Sequence, residues 1–286
     1  MSTAFLFLDE CMYKELDLAS LTGVLVPAER YIAVRDAMCR LAADVQPSPP
    51  NVIPGVIEFH ARALLNDIAH LHGDQIDVVR LSTLQRVVDL VSDHQLSICR
   101  VTYLNRTEIA DLMPLDPKLY GLTFFGIQSW LQSIMADMLV IPVMDGIPDT
   151  GGANIPRRAP NIEPMLIRSF ALNVRNIHHI RQYPNMADSL SIANAHNLGE
   201  PVFGDSSHSV FLQLVDLVSH MLLQRERAEL EDDSKLTDYR RKTLEIVEKI
   251  PANLLQVWKD KMHIGSADTA QKEGQADSHA SGEYTS

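Results

Sequence analysis

Acidic side chains occur at three places where the neighbouring sequence is apolar. Asp9 and Glu10 directly follow an apolar run that begins at Ala4. Asp145 ends a second apolar run, and Asp216 lies inside a third. An ionised carboxylate is costly in such surroundings unless it is paired, protonated or bound to a metal ion. These acids are therefore candidates for a shared site, while Asp216 could equally be a hydrogen-bonded structural residue of the core.

Carboxylates at the ends of neighbouring strands can converge at one edge of a sheet. Oxygen ligands of this kind suit Mg²⁺ or Mn²⁺ better than zinc. Two such ions could hold both the attacking water and the leaving oxygen of a phosphodiester. The chemistry that this pattern predicts is therefore metal-dependent phosphodiester cleavage.

The segment around Asp216 separates polar from apolar residues at helical spacing. Steps of four, three and four positions place these polar residues on one face: Ser209, Gln213, Asp216 and His220. Another face is lined by Val210, Leu214, Leu217 and Met221. The polar stripe indicates either a functional surface or a partly exposed helix edge.

The elements that must position these residues alternate between strands and helices. A hairpin of Ala4 to Glu10 with Leu21 to Val26 opens the chain, and Val52 to His60 is an extended segment. Later strands are predicted at Leu96 to Leu104, Met138 to Met144 and Leu190 to His196, and Pro142 favours an edge position. Helices are predicted after Pro27 and over Ala61 to His70, Val78 to Val91, Leu115 to Asp137, Asn161 to Tyr183, Ser206 to Leu230 and Asp238 to Met262. Together they indicate an α/β fold, a mixed sheet covered by helices.

Composition bounds the class of protein. The chain has 286 residues, is 46% hydrophobic and carries a formal net charge of -12. This charge argues against a sequence-independent electrostatic grip on nucleic acid. The first apolar run is too short for a signal peptide or a membrane span, and three scattered cysteines suit free thiols, so we expect a cytoplasmic protein. The segment from Gly265 onward is small and polar, which predicts a disordered tail over residues 265–286.

Short, dispersed motifs resemble the family catalogued as domain of unknown function 3800. The first two are Asp9-Glu10 after Phe5-Leu6-Phe7-Leu8, and Glu58-Phe59-His60-Ala61. The third is Asp145 after its hydrophobic strand. The most specific block runs from Pro201-Val202-Phe203-Gly204-Asp205-Ser206 to Leu212-Gln213-Leu214-Val215-Asp216-Leu217-Val218.

The resemblance implies a ribonuclease H-like domain over residues 1–264, with helical insertions in the mixed sheet architecture. It implies a nuclease acting on RNA or DNA with Mg²⁺ or Mn²⁺, whose catalytic residues and metal ligands are Asp9, Glu58, Asp145 and Asp216. It places Glu10, His60, Asp205 and Gln213 nearby. The chain departs from the family after Glu10, where Cys11 and Met12 replace the usual serine and glycine.

Two other functions fit parts of the sequence. A non-catalytic binding module on the same fold, for instance in a phage-defence or mobile-element system, would explain the altered first motif. Gly204-Asp205-Ser206 superficially resembles the serine block of lipases and esterases, but that block lies near the N-terminus in those enzymes. Capping of the following helix by Asp205 or Ser206 is the simpler explanation.

Overall fold

The computed structural model describes residues 2–13, 18–45, 74–104, 138–145, 202–204, 209–230 and 236–261. Its strands are β1 (Ser2–Tyr13), β2 (Leu18–Pro27), β3 (Ser97–Leu104), β4 (Met138–Asp145), β5 (Val202–Gly204) and β6 (Leu255–Lys261). Its α-helices are α1 (Tyr31–Val45), α2 (Asp74–Asp93), α3 (Val210–Leu230) and α4 (Asp238–Val247), and a short 3-10 helix at Ala28–Arg30 precedes α1.

All six described strands form one mixed sheet, in the order β5-β4-β1-β2-β3-β6. The first three strands make an antiparallel meander, in which β2 pairs with β1 on one side and β3 on the other. On the outer side of β1 the sheet continues with β4 and β5, both parallel to it. At the other end, β6 pairs in parallel with β3. The expected α/β architecture with a mixed sheet and helices is thus confirmed.

The helices pack on one face of the sheet because alternate strand residues supply apolar side chains there. Phe7, Val24 and Ile98 from the meander join the core that α1 to α4 complete. Phe211 of α3 stacks on Phe7 with 4.7 Å between ring centroids and also contacts Tyr31 at 4.3 Å. This aromatic contact fixes the start of α3 against β1 and α1.

The opposite face of the meander is also buried, and it includes Gly23 at a tight approach. Leu6 and Leu8 of β1 and Cys99 of β3 lie on this face beside the glycine. A Cβ atom at Gly23 would lie 2.7 Å from Cys99 Sγ and 2.9 Å from Leu6 Cδ1. The glycine is required here by its neighbours, which leave no room for a side chain.

Gly23→Ala is therefore expected to lower the free energy of unfolding by about 1–3 kcal/mol, the usual cost of overpacking a core. Urea unfolding measures this change. Because Cys99 Sγ is the nearest obstacle, the double variant with Cys99→Ala should lose less than the sum of the two single variants. A Gly23→Ala protein as stable as the parent would contradict the close packing of this face.

The described strands and helices confirm most of the predicted elements, including the opening hairpin and the helices around residues 31–45 and 78–91. The helix predicted from Ser206 begins later, at Val210, and Ser209 caps it. Pro142 is predicted at an edge, yet β4 lies between β5 and β1. The described part of β5 pairs only with Val143–Asp145 and stops short of the proline.

The single helix predicted over Asp238 to Met262 is wrong. Helix α4 ends at Val247, and the chain re-enters the sheet as β6. Pro251 explains the break, because it has no N–H to donate and disfavours helical backbone in the residue before it. The N–H of Leu254 donates to the carbonyl of Pro251 at 2.8 Å, and the turn this closes leads into β6.

Several predictions fall outside the described residues, namely the segments at 52–70, 115–137, 150–183 and 190–196 and the tail from residue 265. Within the described ranges, no helix combines the length and apolar character needed to cross a membrane.

Candidate carboxylate site

Asp9 and Asp145 occupy equivalent positions on neighbouring parallel strands. The register of β1 with β4 runs to the pair of Leu8 with Met144, and each acid is the next residue of its strand. Paired strands lie about 4.8 Å apart, so the two backbones are close at this level. Strand alternation puts Asp9 on the same face as Phe7, the face covered by the helices. Both acids are half-buried.

The row of polar residues continues across the meander. Thr22 of β2 is the cross-strand partner of Asp9, and Arg100 of β3 is the partner of Thr22. Arg100 and Thr22 are both completely buried. A polar row thus runs under the helices from Asp145 to Arg100, crossing four adjacent strands.

Helix α3 brings Asp216 to the same side of the sheet. The Ser209 hydroxyl accepts a hydrogen bond from the Leu212 N–H at 3.3 Å, and this cap satisfies one of the free amides at the helix start. The apolar side of the helix, including Leu214 and Leu217, is buried in the core. Gln213 is buried as well, with 1% of its surface exposed, and Asp216 is half-buried.

The charges that act on the Cys11 thiol indicate which charged groups lie near the polar row. Burial raises its pKa to about 12, and the nearby guanidinium of Arg100 opposes that rise. The negative charges of Asp9, Glu226 and Asp216 raise the pKa further. Asp9 on β1 and Asp216 on α3 therefore act on the same thiol, which stays neutral at physiological pH.

A buried ion pair joins the sheet to the second half of α3. Arg100 contacts Glu226 through two parallel hydrogen bonds, Nε to Oε1 at 2.9 Å and Nη2 to Oε2 at 2.6 Å. The side chains of Arg100 and Glu226 are 0% and 4% exposed. Nη1 of Arg100 donates to the Thr22 hydroxyl at 2.6 Å and to the Ser219 carbonyl at 3.3 Å, and the Thr102 hydroxyl donates to Glu226. Both charged groups are thus compensated by neighbours from three elements.

His220 follows Asp216 by one helical turn and is held neutral by its surroundings. Burial lowers its pKa from 6.5 to about 4, although the charge of Asp216 opposes the change. Its Nε2 lies 3.3 Å from Nε2 of Gln224, which extends the predicted polar stripe by another turn.

This histidine gives a pH-dependent contribution to stability. The unfolded chain takes up a proton at His220 below about pH 6.5, whereas the folded chain does so only near pH 4, so stability falls as the pH is lowered between these values. His220→Gln should remove this contribution, which has a slope of up to about 1.4 kcal/mol per pH unit. Urea unfolding of both proteins at pH 7.5 and 5 measures it, and identical pH dependence in parent and variant would contradict the assignment.

The structure leaves the four-acid ligand set incomplete. Glu58, His60 and Asp205 lie outside the described residues, as does the side chain of Glu10. In the described part of the chain, which includes Asp9, Asp145 and Asp216, no group of three or more His, Cys, Asp or Glu side chains is placed to hold a metal ion. What the described residues do show is Asp9 beside Asp145 on adjacent strands, with Asp216 on the covering helix.

Sequence reasoning missed the Arg100–Glu226 pair. One signal was present, since Arg100 stands between Ile98 and Thr102 on one face of a strand that has no other charged residue. Ser219 and Glu226 are also spaced by about two helical turns and so share a helix face. Neither signal identifies the partner, because Arg100 and Glu226 are 126 positions apart.

No protein-family model matches the chain, and no curated protein matches it significantly in sequence.

Proposed function

We propose that this chain is a divalent-metal-dependent nuclease of the ribonuclease H-like type. The observation that carries the proposal is the placement of Asp9 and Asp145 at the same level of neighbouring parallel strands, under the helix that bears Asp216. Asp145 is the last residue of β4, at the kind of strand end where side chains from several elements can converge on a ligand, whereas β1 continues past Asp9 to Tyr13.

The arrangement of the strands supports the same fold type. A ribonuclease H-like sheet has an antiparallel meander that continues in parallel strands beside its first strand. The described order β3-β2-β1-β4-β5 has this arrangement, with β6 added at the far edge of the meander. Fold type alone does not define an activity, so the proposal depends on the acids.

The chemistry of the donors fits a hard cation. Asp9, Asp145 and Asp216 offer oxygen atoms only, the ligands that Mg²⁺ and Mn²⁺ prefer. Asp9, Asp145 and Asp216 all lie in the described ranges and do not by themselves form a group that could hold a metal ion, so we propose that ion binding draws them together with Glu58. When bound, such an ion supplies Lewis-acid stabilisation of the phosphate and lowers the pKa of a coordinated water.

The negative charges of the chain indicate how its acidic residues take part in this reaction. Burial is the main cause of the raised pKa of Cys11, and the negative charges of Asp9 and Asp216 add to it. With a formal net charge of -12, the protein repels a polyanion unless cations are bound between them. Asp9 and Asp145 thus serve to bind and orient cations, and substrate binding should itself depend on the divalent ion.

Metal binding by defined variants tests the proposal. Calorimetric titration with Mn²⁺ should show binding to the parent and a loss of about 10-fold or more in affinity for Asp9→Asn and Asp145→Asn, since asparagine keeps the shape but not the charge. Asp238→Asn is the matched control, because Asp238 is 86% exposed on α4, outside the polar row. Activity is measured as cleavage of labelled single-stranded RNA, single-stranded DNA and hybrid duplex in the presence of Mn²⁺.

If the parent protein binds no divalent ion at millimolar concentration, the nuclease proposal fails. A second function, the non-catalytic binding module, is then favoured. The observation that favours this second function is the neutral, half-buried thiol of Cys11 in the first motif, where the resembling family has serine. A binding module should retain its nucleic-acid or protein partner in Asp9→Asn, whereas an enzyme should lose turnover.

A further inference from the structure

Besides the apolar packing of helix α3, two specific contacts with the sheet lie on either side of Asp216. The first is the stack of Phe211 on Phe7, with 4.7 Å between centroids and 12° between ring planes. The second is Arg100, which contacts the Ser219 carbonyl and the Glu226 carboxylate. Two points of attachment fix both the position of a helix along its axis and its rotation about that axis.

The second attachment is rigid because of its chemistry. A guanidinium is planar, and its two parallel hydrogen bonds to a carboxylate permit one relative orientation. Each partner of this contact makes a further hydrogen bond. Nη1 of Arg100 donates to the Thr22 hydroxyl at 2.6 Å, and the Thr102 hydroxyl donates to Glu226. Thr22 is in turn the cross-strand partner of Asp9. Through Thr22, this attachment therefore holds α3 against the same polar row that contains Asp9.

We propose that Arg100 is the positioning residue of the carboxylate site, holding α3 so that Asp216 faces Asp9 and Asp145. Ser219 follows Asp216 within one helical turn, and Glu226 lies about two turns further on, so a change at either contact moves Asp216. This role rests on the proposed function, because its main test measures metal binding at the carboxylate site. It extends that function to a buried residue that is not one of its ligands.

Arg100 also balances the charge of the site. Its positive charge acts on the Cys11 thiol, where the charges of Asp9 and Asp216 act with the opposite sign. Lysine keeps this charge and loses the planar fork, whereas glutamine loses both. Comparing the two variants separates geometry from charge.

The experiment measures Mn²⁺ affinity by calorimetry for Arg100→Lys and Arg100→Gln at a temperature where circular dichroism shows each to be folded. Arg100→Lys should weaken Mn²⁺ binding by about 10- to 100-fold, the range found when groups that orient metal ligands are replaced. Affinity measured on fully folded protein does not respond to a loss of global stability. Arg225→Lys is the matched control, because Arg225 is next to Glu226 on the same helix but is 45% exposed.

The outcomes separate this proposal from the nuclease. If the parent binds Mn²⁺ and Arg100→Lys binds it equally well, Arg100 does not position the site. If the parent binds no Mn²⁺, the nuclease proposal fails. Hydrogen exchange of the metal-free proteins then tests whether Arg100 positions α3. Faster exchange of the amides around Asp216 in Arg100→Lys, with those around Phe211 unchanged, supports the two-point attachment. Unchanged exchange at both places would overturn it.

Discussion

Replacing Arg100 with methionine should lower the free energy of unfolding by about 3–5 kcal/mol, because the change leaves the Glu226 carboxylate buried without its counter-charge. Glu226 is only 4% exposed, so water in the folded protein compensates little of its charge. The Thr102 hydroxyl would remain as a donor and is too weak to replace a guanidinium. Urea unfolding, analysed for midpoint and slope, gives the value.

A double-mutant cycle separates the attraction within the pair from the cost of burying it. Glu226→Leu alone should destabilise in the same way, since it leaves the guanidinium buried. The double variant Arg100→Met/Glu226→Leu should be much more stable than the sum of the single changes predicts, and near the parent, because two apolar side chains can replace a buried pair.

An exposed pair provides the control. Arg86 contacts Asp44 at 2.7 Å, nearly the distance found in the buried pair, but its side chain is 40% exposed. Arg86→Met should change stability by less than about 1 kcal/mol. If Arg100→Met costs no more than Arg86→Met, the burial described here for the pair is contradicted.

Asp216→Asn should reduce Mn²⁺- or Mg²⁺-dependent cleavage by about 100-fold or more while leaving the protein folded. Asparagine preserves the shape and hydrogen-bonding capacity of the side chain and removes the charge that a hard cation needs. The expected loss is at least as large as that caused by replacing a residue that only orients a ligand. Rates on labelled RNA, DNA and hybrid substrates measure it.

Stability without metal provides an independent readout on the same variant. Asparagine keeps the shape and hydrogen-bonding capacity of the side chain, so the melting temperature of Asp216→Asn without metal should stay close to that of the parent. Glu229→Gln is the control, since Glu229 is on α3 and 43% exposed. An Asp216→Asn protein that cuts as fast as the parent would make Asp216 a structural residue.

Local patterns were sufficient for much of the fold. The apolar run before Asp9 and the one after Leu21 predicted paired strands, because such runs flanked by polar residues favour buried extended chain. Helical spacing around Asp216 separated the apolar side of α3, which is buried, from a polar stripe in which Gln213 is buried as well. These features depend on neighbours in sequence.

The segment after α4 shows where local patterns fail. Its apolar residues fit a helical period as well as a strand, and Pro251 gave the only sign of a break. The outcome depended on β3, whose free side is satisfied by β6 from Ile98 to Leu104. A strand at an open sheet edge gains backbone hydrogen bonds that no property of its own sequence reveals.

The sequence by itself determined most of the described elements and the unusual acids at Asp9, Asp145 and Asp216, because both follow from short-range contrasts in polarity. Only the tertiary structure decided that β4 lies beside β1, which puts Asp9 level with Asp145, and that Arg100 meets Glu226 on the covering helix. The physical reason is that strand register and buried ion pairing are set by contacts between distant segments. A single chain without its fold shows which residues need a partner, and the packing of sheet and helix selects that partner.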